Sequence, residues 1–193
     1  MKPFILACAV LGLTSSLAFS AGSSSTPSTP APAKPALPSA SDNSPLSAHC
    51  KKGEVVKTIT KNGAATKTCV KVQGSLVPDD DLYHQGWVLA KAGEYDWAIE
   101  VLSSVQNPDN ADVLNMLGYS NRKAGRLELG IAYYSRALQL KPDFTLAREY
   151  LGEGFVAAGK IDQAKIQLEE IKKLCGTGCE EYKDLSEAID KGV

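Results

Sequence analysis

Leu114-Asn115-Met116-Leu117-Gly118, Gly125-Arg126-Leu127-Glu128-Leu129-Gly130, then Tyr134, Ala137 and Lys141-Pro142-Asp143 form a unit whose punctuation recurs on both sides of it. Upstream stand Gly86 and Gly93-Glu94-Tyr95-Asp96-Trp97-Ala98; downstream stand Gly152 and Gly159-Lys160-Ile161-Asp162-Gln163-Ala164. In each copy the second Gly follows the first by seven residues, a small residue follows five later, and the copies lie 32 and 34 residues apart. A period of that size belongs to arrays of helical repeats. Such an array builds a surface, which points to a chain that holds something rather than transforms it.

Each unit divides into two helices. Leu114, Leu117, Gly118 and Asn121 mark the inner stripe of the first, and Gly125 ends it. Glu128, Gly130, Ile131, Tyr134, Ala137 and Leu138 mark the second, and Lys141-Pro142-Asp143 breaks it. Small residues stand where the two helices cross, because backbones joined by a tight turn approach closely only there. The large residue four after the small one (Leu102, Tyr134, Leu168) is expected to fill the adjoining space.

The pattern Leu114, Leu117-Gly118, Gly130, Tyr134, Ala137 and Pro142 resembles the tetratricopeptide repeat. The third copy matches through Leu151-Gly152, Phe155, Ala164, Leu168 and Ile171, the first through Leu82, Gly86, Leu89, Ala98 and Leu102. Gln85, Asn121, Arg148 and Gly176 depart from the pattern, and these departures are expected to weaken individual repeats but not the architecture. The resemblance implies an all-α fold, a right-handed superhelix of three helix-turn-helix repeats at 79–110, 111–144 and 145–178. The tail 179–193 places Tyr182, Leu185 and Ile189 on one helical face, as a capping helix does.

Upstream the character differs. Residues 1–20 read as a secretory signal: Lys2, an apolar run from Phe4 to Leu13, then Ala18 and Ser20 around a cut before Ala21, or one after Ala18. That run is too short to cross a bilayer of about 30 Å. Residues 21–48 are almost wholly Ser, Pro, Ala and Thr, a disordered linker that buries no core. Residues 49–73 alternate around Asn62-Gly63, the strongest two-residue hairpin turn. That turn pairs Lys61 with Ala64 and Val55 with Val70, which sets Cys69 opposite Val56; a bridge to Cys50 then requires the arm to curl back at Gly53. An isolated hairpin is marginal in water, so a disulfide staple is expected.

Loss of the signal removes Cys8 and leaves Cys50, Cys69, Cys175 and Cys179, an even set that permits three connectivities. Proximity favours Cys50–Cys69 and Cys175–Cys179. The second pair reads as a structural bridge into the cap, with a redox dithiol as the alternative. No metal or cofactor site is indicated, since neither His49 nor His84 lies near Cys175 and Cys179 in sequence to complete a set of four ligands.

The chain also resembles small exported repeat proteins of Gram-negative bacteria, through the Cys50/Cys69 hairpin, Asp79-Asp80-Asp81-Leu82-Tyr83, Arg148-Glu149-Tyr150-Leu151-Gly152-Glu153 and Cys179-Glu180-Glu181-Tyr182. That implies a periplasmic or secreted setting and no known reaction.

In tetratricopeptide arrays the first helices line a concave groove that accepts a peptide or partner helix. Carried over by position, the groove residues are Tyr83, Trp87, Lys91, Asn115, Tyr119, Arg122, Lys123, Glu149 and Glu153, aromatic in the first repeat, polar and basic in the second, acidic in the third. Trp87 and Tyr119 have a second reading as packing between helices. The arrangement lacks the basic and Asn pattern that clamps a C-terminal carboxylate. A non-enzymatic protein-binding module is therefore expected: His49 lies beside a bridged Cys in a flexible arm, and His84 has no Ser, Cys or Asp motif around it. Two alternatives stand, a thiol-disulfide redox protein using Cys175 and Cys179, and an envelope protein contacting cell wall or an anionic surface. The anionic contact would use Lys51, Lys52, Lys57, Lys61, Lys67 and Lys71, lysines that otherwise read as solvated guards of sheet edges. A net charge of −1 argues against a chain-wide nucleic-acid or membrane footprint.

Overall fold

The computed structural model describes residues 50–73 and 76–192, all within one unit, Ala31–Val193. The expected signal at 1–20, the expected linker at 21–48 and His49 lie outside the described residues. The first described elements are β1 (Glu54–Lys61) and β2 (Ala64–Lys71). Seven helices follow: α1 (Asp79–Lys91), α2 (Tyr95–Leu102), α3 (Ala111–Lys123), α4 (Leu127–Leu140), α5 (Thr145–Ala157), α6 (Ile161–Cys175) and α7 (Glu180–Lys191).

Helices α1 and α2, α3 and α4, and α5 and α6 pack as successive hairpins, and α7 packs on both α5 and α6. Each first helix ends the same way. Gly93, Gly125 and Gly159 adopt φ of +86°, +83° and +71°. The next residue's N–H then donates back to the helix: Glu94 to Leu89, Arg126 to Asn121, Lys160 to Phe155, at 2.8–2.9 Å. This is the left-handed glycine stop that satisfies orphan carbonyls. At its start α3 is capped by Asn110, whose Oδ1 accepts from the N–H groups of Asp112 and Val113. No helix among the described residues is long and apolar enough to cross a membrane.

The small residues mark close crossings. A Cβ on Gly86 would stand 2.5 Å from Leu102, and one on Gly118 would stand 2.6 Å from the ring of Tyr134. In the third hairpin the expectation of Leu168 is corrected. The residue that fills the space at Gly152 is Leu185 of α7, 2.5 Å from a would-be Cβ and wholly buried, while Leu168 is half-buried. The capping helix reaches in because Leu185 lies on its apolar face with Tyr182 and Ile189 half-buried on either side.

The hairpin has the register its turn dictates: Lys61 opposite Ala64, Val55 opposite Val70, Cys69 opposite Val56. Asn62 and Gly63 are both left-handed, as a twisted two-residue turn requires. Cys50 is bonded to Cys69, and the chain curls back through Gly53 (φ +84°), whose carbonyl accepts from the N–H of Val72. The hairpin is also held by more than its staple. Val55 and Val72 join one core with Leu82, Leu89, Trp97 and Leu102. The Trp97 indole N–H donates to the Glu54 carbonyl at 3.0 Å. Thus the hairpin covers the apolar start of the helical array, as α7 covers its end.

Three of the departures from the repeat pattern, Gln85, Asn121 and Arg148, are polar anchors. Gln85, 6% exposed, accepts from the Val56 N–H at 2.7 Å and donates to the Val56 carbonyl at 2.8 Å, pairing the edge of β1 as a strand would. Asn121 donates to the Leu117 carbonyl and accepts from Arg126, which in turn pairs with Asp96 of the preceding hairpin. Arg148 donates twice to the Pro142 carbonyl and once to Gln167, tying the α4–α5 turn to α6. Gly176 caps α6 at a positive φ, where Pro is excluded.

Candidate binding groove

The first helices α1, α3 and α5 are consecutive neighbours, and α7 continues the row beside α5. Side-chain contacts connect them. On α1, Tyr83 and Trp87 are half-buried against the core, and His84 between them is exposed. Burial, with the Asp112 carboxylate of α3 adding to it, pushes the Tyr83 phenol up to about 12. Lys91, exposed at the end of α1, sets its Nζ 4.5 Å above the ring of Tyr119 on α3.

Tyr119 lies at the centre. Its ring is 6.4 Å from Tyr95 and 5.4 Å from Tyr150, and Tyr150 is 5.9 Å from Tyr134. Lys123 approaches the same ring, Nζ at 5.8 Å. The edge-on and tilted angles (68°, 42° and 53°) are those that ring quadrupoles favour. Desolvation raises the phenols of Tyr119, Tyr134 and Tyr150 above their usual range, so they remain neutral donors. Among the described residues the ring contacts do not extend to Tyr83 or Trp87, so the aromatic row has two separate parts.

Arg122 joins the second and third repeats. Its Nη2 donates to Glu153 Oε2 at 2.5 Å, its Nε donates to the Tyr134 hydroxyl at 3.3 Å, and its guanidinium lies 5.8 Å over Tyr150. Burial works against the charge on Arg122, and the adjacent Tyr134 and Glu153 more than offset it. The expected gradation from basic to acidic is thereby muted, because the strongest cation and one of the two acids neutralise each other across the helix interface.

The other acid is buried. Glu149 is 6% exposed, and burial first, then the carboxylates of Glu153, Asp184, Glu181 and Glu180, push it up to about 8. Asn115, at the same position of the preceding repeat, is 2% exposed with Oδ1 unpartnered. Neither residue is the solvated groove contact that its type suggests.

The lysine hairpin packs against α1 and α2. Lys51, Lys52, Lys61, Lys67 and Lys71 are exposed and Lys57 is half-buried; Lys71 pairs with Glu54 at 3.5 Å. Cys175 and Cys179 are bonded in the turn between α6 and α7, with Glu181 beside them. Sequence reasoning missed Tyr95, Tyr134 and Tyr150 as a ring stack. Tyr134 was read as filler for Gly118, which it also is. The stack has no local spacing; it forms only when the turn of each hairpin brings its helices alongside the next.

Residues 111–144 match the family model for the tetratricopeptide repeat. Among solved structures the chain is similar to MamA, at 21% identity over 58% of this chain and 67% of that one, with a TM-score of 0.52. It is similar to the first TPR of Spaghetti (RPAP3) bound to HSP90 peptide SRMEEVD, at 20% identity over 58% and 90%, TM-score 0.53. It is also similar to the Yersinia enterocolitica type III secretion chaperone SycD in complex with a peptide of the translocator YopD, at 20% identity over 58% and 87%, TM-score 0.51. At these identities the likeness is one of fold. No curated protein matches the chain.

Proposed function

From a chain that carries a tetratricopeptide repeat at residues 111–144 and shares the fold of tetratricopeptide-repeat proteins, we propose a protein-interaction module that binds a peptide or partner segment along α1, α3 and α5. The observation that carries this reading is the row of half-exposed rings on consecutive first helices, Tyr83 and Trp87, then Tyr119, with the buried polar groups of Asn115 and Glu149 at the corresponding positions of α3 and α5. Half-buried rings give contact area with little entropy to lose. The similar structures bound to an HSP90 peptide and to a translocator peptide support the same mode here. Binding on this row is non-enzymatic in our reading.

Trp87→Ala removes the largest open ring without touching an ion pair. Capture of a photo-crosslinked partner falls in this variant while far-UV circular dichroism is preserved, and Ile166→Ala, on the exposed side of α6, leaves capture unchanged. Equal capture by wild type and Trp87→Ala defeats the groove. In this reading the module works in the periplasm or outside the cell. Two bonded cysteine pairs support an oxidising compartment. A fusion of the whole chain to a phosphatase active only after export checks this, and an inactive fusion contradicts it.

A further inference from the structure

Thr145, Glu149 and Glu153 stand four residues apart on α5, so they follow one another along a single stripe of the helix. The outer two are each engaged by a neighbouring helix. Thr145 Oγ1 donates to Glu181 Oε1 of α7 at 3.4 Å, and Glu153 accepts from Arg122 of α3. The middle one is not. Among the described residues no hydrogen bond or ion pair holds the Glu149 carboxyl, although the residue is 6% exposed. A buried carboxyl is ordinarily paired with a cation or a donor. Its acidic neighbours are Glu153 on its own helix, which Arg122 of α3 already holds, and Asp184, Glu181 and Glu180 on α7. Asn115, the preceding repeat's residue at this position, adds a buried amide with an unused oxygen.

A carboxyl that no cation among the described residues holds, with acidic neighbours on α5 and α7 and in line with the aromatic groove residues, is complementary to a positive charge. We infer that the α5–α7 end of the groove is a cation-recognition site, in which Glu149 receives the ammonium or guanidinium group of a lysine or arginine side chain on an extended partner segment. This inference rests on the groove reading above and names the chemistry of its occupant. A side chain fits better than a bare metal ion, because among the described residues these carboxylates form no group of three with ligand atoms within 4.8 Å of one another. A guanidinium spreads its donors over a wider ring than an ion does and matches separated carboxylates. On seating of the cation Glu149 gives its proton to solvent, so that the pair formed is carboxylate and cation.

The test is selection of random short peptides, displayed on phage, against the full chain. Bound peptides are expected to share one Lys or Arg position. Replacing that residue by citrulline or norleucine, or Glu149 by Gln, is expected to weaken binding about tenfold or more, the scale of a lost charged hydrogen bond. Glu149→Gln removes a buried acid and keeps its shape, and circular dichroism confirms that it folds. Peptides that lose affinity on Trp87→Ala but share no basic position, or that bind Glu149→Gln as well as wild type, overturn the cation site and leave the groove standing. Peptides indifferent to Trp87→Ala, or a library that yields no binder, overturn both. Self-association of the chain that Glu149→Gln abolishes assigns the site to the lysine hairpin of a second copy and overturns the separate partner.

Discussion

Replacing Glu149 by Gln is expected to stabilise this protein, and by an amount that depends on pH. In the unfolded chain the carboxyl titrates at its ordinary 4.5; in the fold, burial and the carboxylates of Glu153, Asp184, Glu181 and Glu180 raise it to about 8. The guanidinium of Arg122 on α3, across the helix interface, is already engaged by Glu153 and Tyr134. Because the folded value is the higher one, the folded state binds the proton more tightly. The penalty for ionisation is therefore absent below about pH 4.5, grows as pH rises, and is complete above about pH 8. At about 1.4 kcal/mol per pH unit, the loss relative to the protonated form comes to about 3 kcal/mol at pH 7 and about 5 kcal/mol at pH 9. Gln keeps the shape and cannot ionise. Urea unfolding of both proteins, disulfides intact, is expected to give matching stabilities near pH 4 and a lead for Glu149→Gln that widens to these values. A difference that stays flat across the range, or a Gln variant less stable at pH 7, refutes the reasoning, since the carboxylate would then have a compensating donor.

Gln85→Leu restores the apolar residue of the repeat pattern, yet it strands the N–H and carbonyl of Val56, so a loss of about 2 kcal/mol is expected, with faster hydrogen exchange at Val56. Unchanged stability contradicts the pairing. Gly118→Ala places a Cβ 2.6 Å from the wholly buried Tyr134 ring, whereas Gly154→Ala meets Ile131 at 3.1 Å. Overpacking of about 1–3 kcal/mol outweighs a helix-propensity gain of about 1 kcal/mol at the first site only, so thermal melts are expected to rank Gly118→Ala below Gly154→Ala; the reverse order contradicts the crossing geometry. Removing the Cys50–Cys69 bridge with a double Ser substitution opens a loop of 19 residues' separation and is expected to cost about 3 kcal/mol in urea unfolding. A negligible change would mean that the contacts of Val55, Val72 and Trp97 hold the hairpin without it.

The helical hairpins were legible because their signals are local. A left-handed Gly seven residues after a crossing Gly constrains backbone whatever surrounds it, and Gly93, Gly125 and Gly159 each stop a helix for that reason. The register of β1 and β2 was legible for the same cause, since Asn62-Gly63 sets every pairing beyond it. What escaped reading was decided by distant neighbours. Gln85 looks like a flaw in a repeat until β1, 29 residues away, supplies a strand edge to pair. Arg122 and Glu153 look like groove charges until the hairpins stack and bring them together. Leu185 replaces Leu168 at Gly152 because the cap packs as a further first helix, a choice no spacing within the third repeat reveals. The candidate groove was thus legible as a row of positions; which of its members are open, paired or buried came from packing.

The most direct measurement is chemical-shift mapping of a phage-selected peptide on the nitrogen-15-labelled full chain. Two indole N–H signals report on opposite environments, Trp87 half-open on α1 and Trp97 buried beneath the hairpin with its N–H on the Glu54 carbonyl. If the partner lies along α1, α3 and α5, the Trp87 indole and the backbone around Asn115, Tyr119 and Glu149 shift on titration while Trp97 stays still. Shifts confined to β1 and β2, or to the exposed sides of α2, α4 and α6, contradict a binding groove on the first helices.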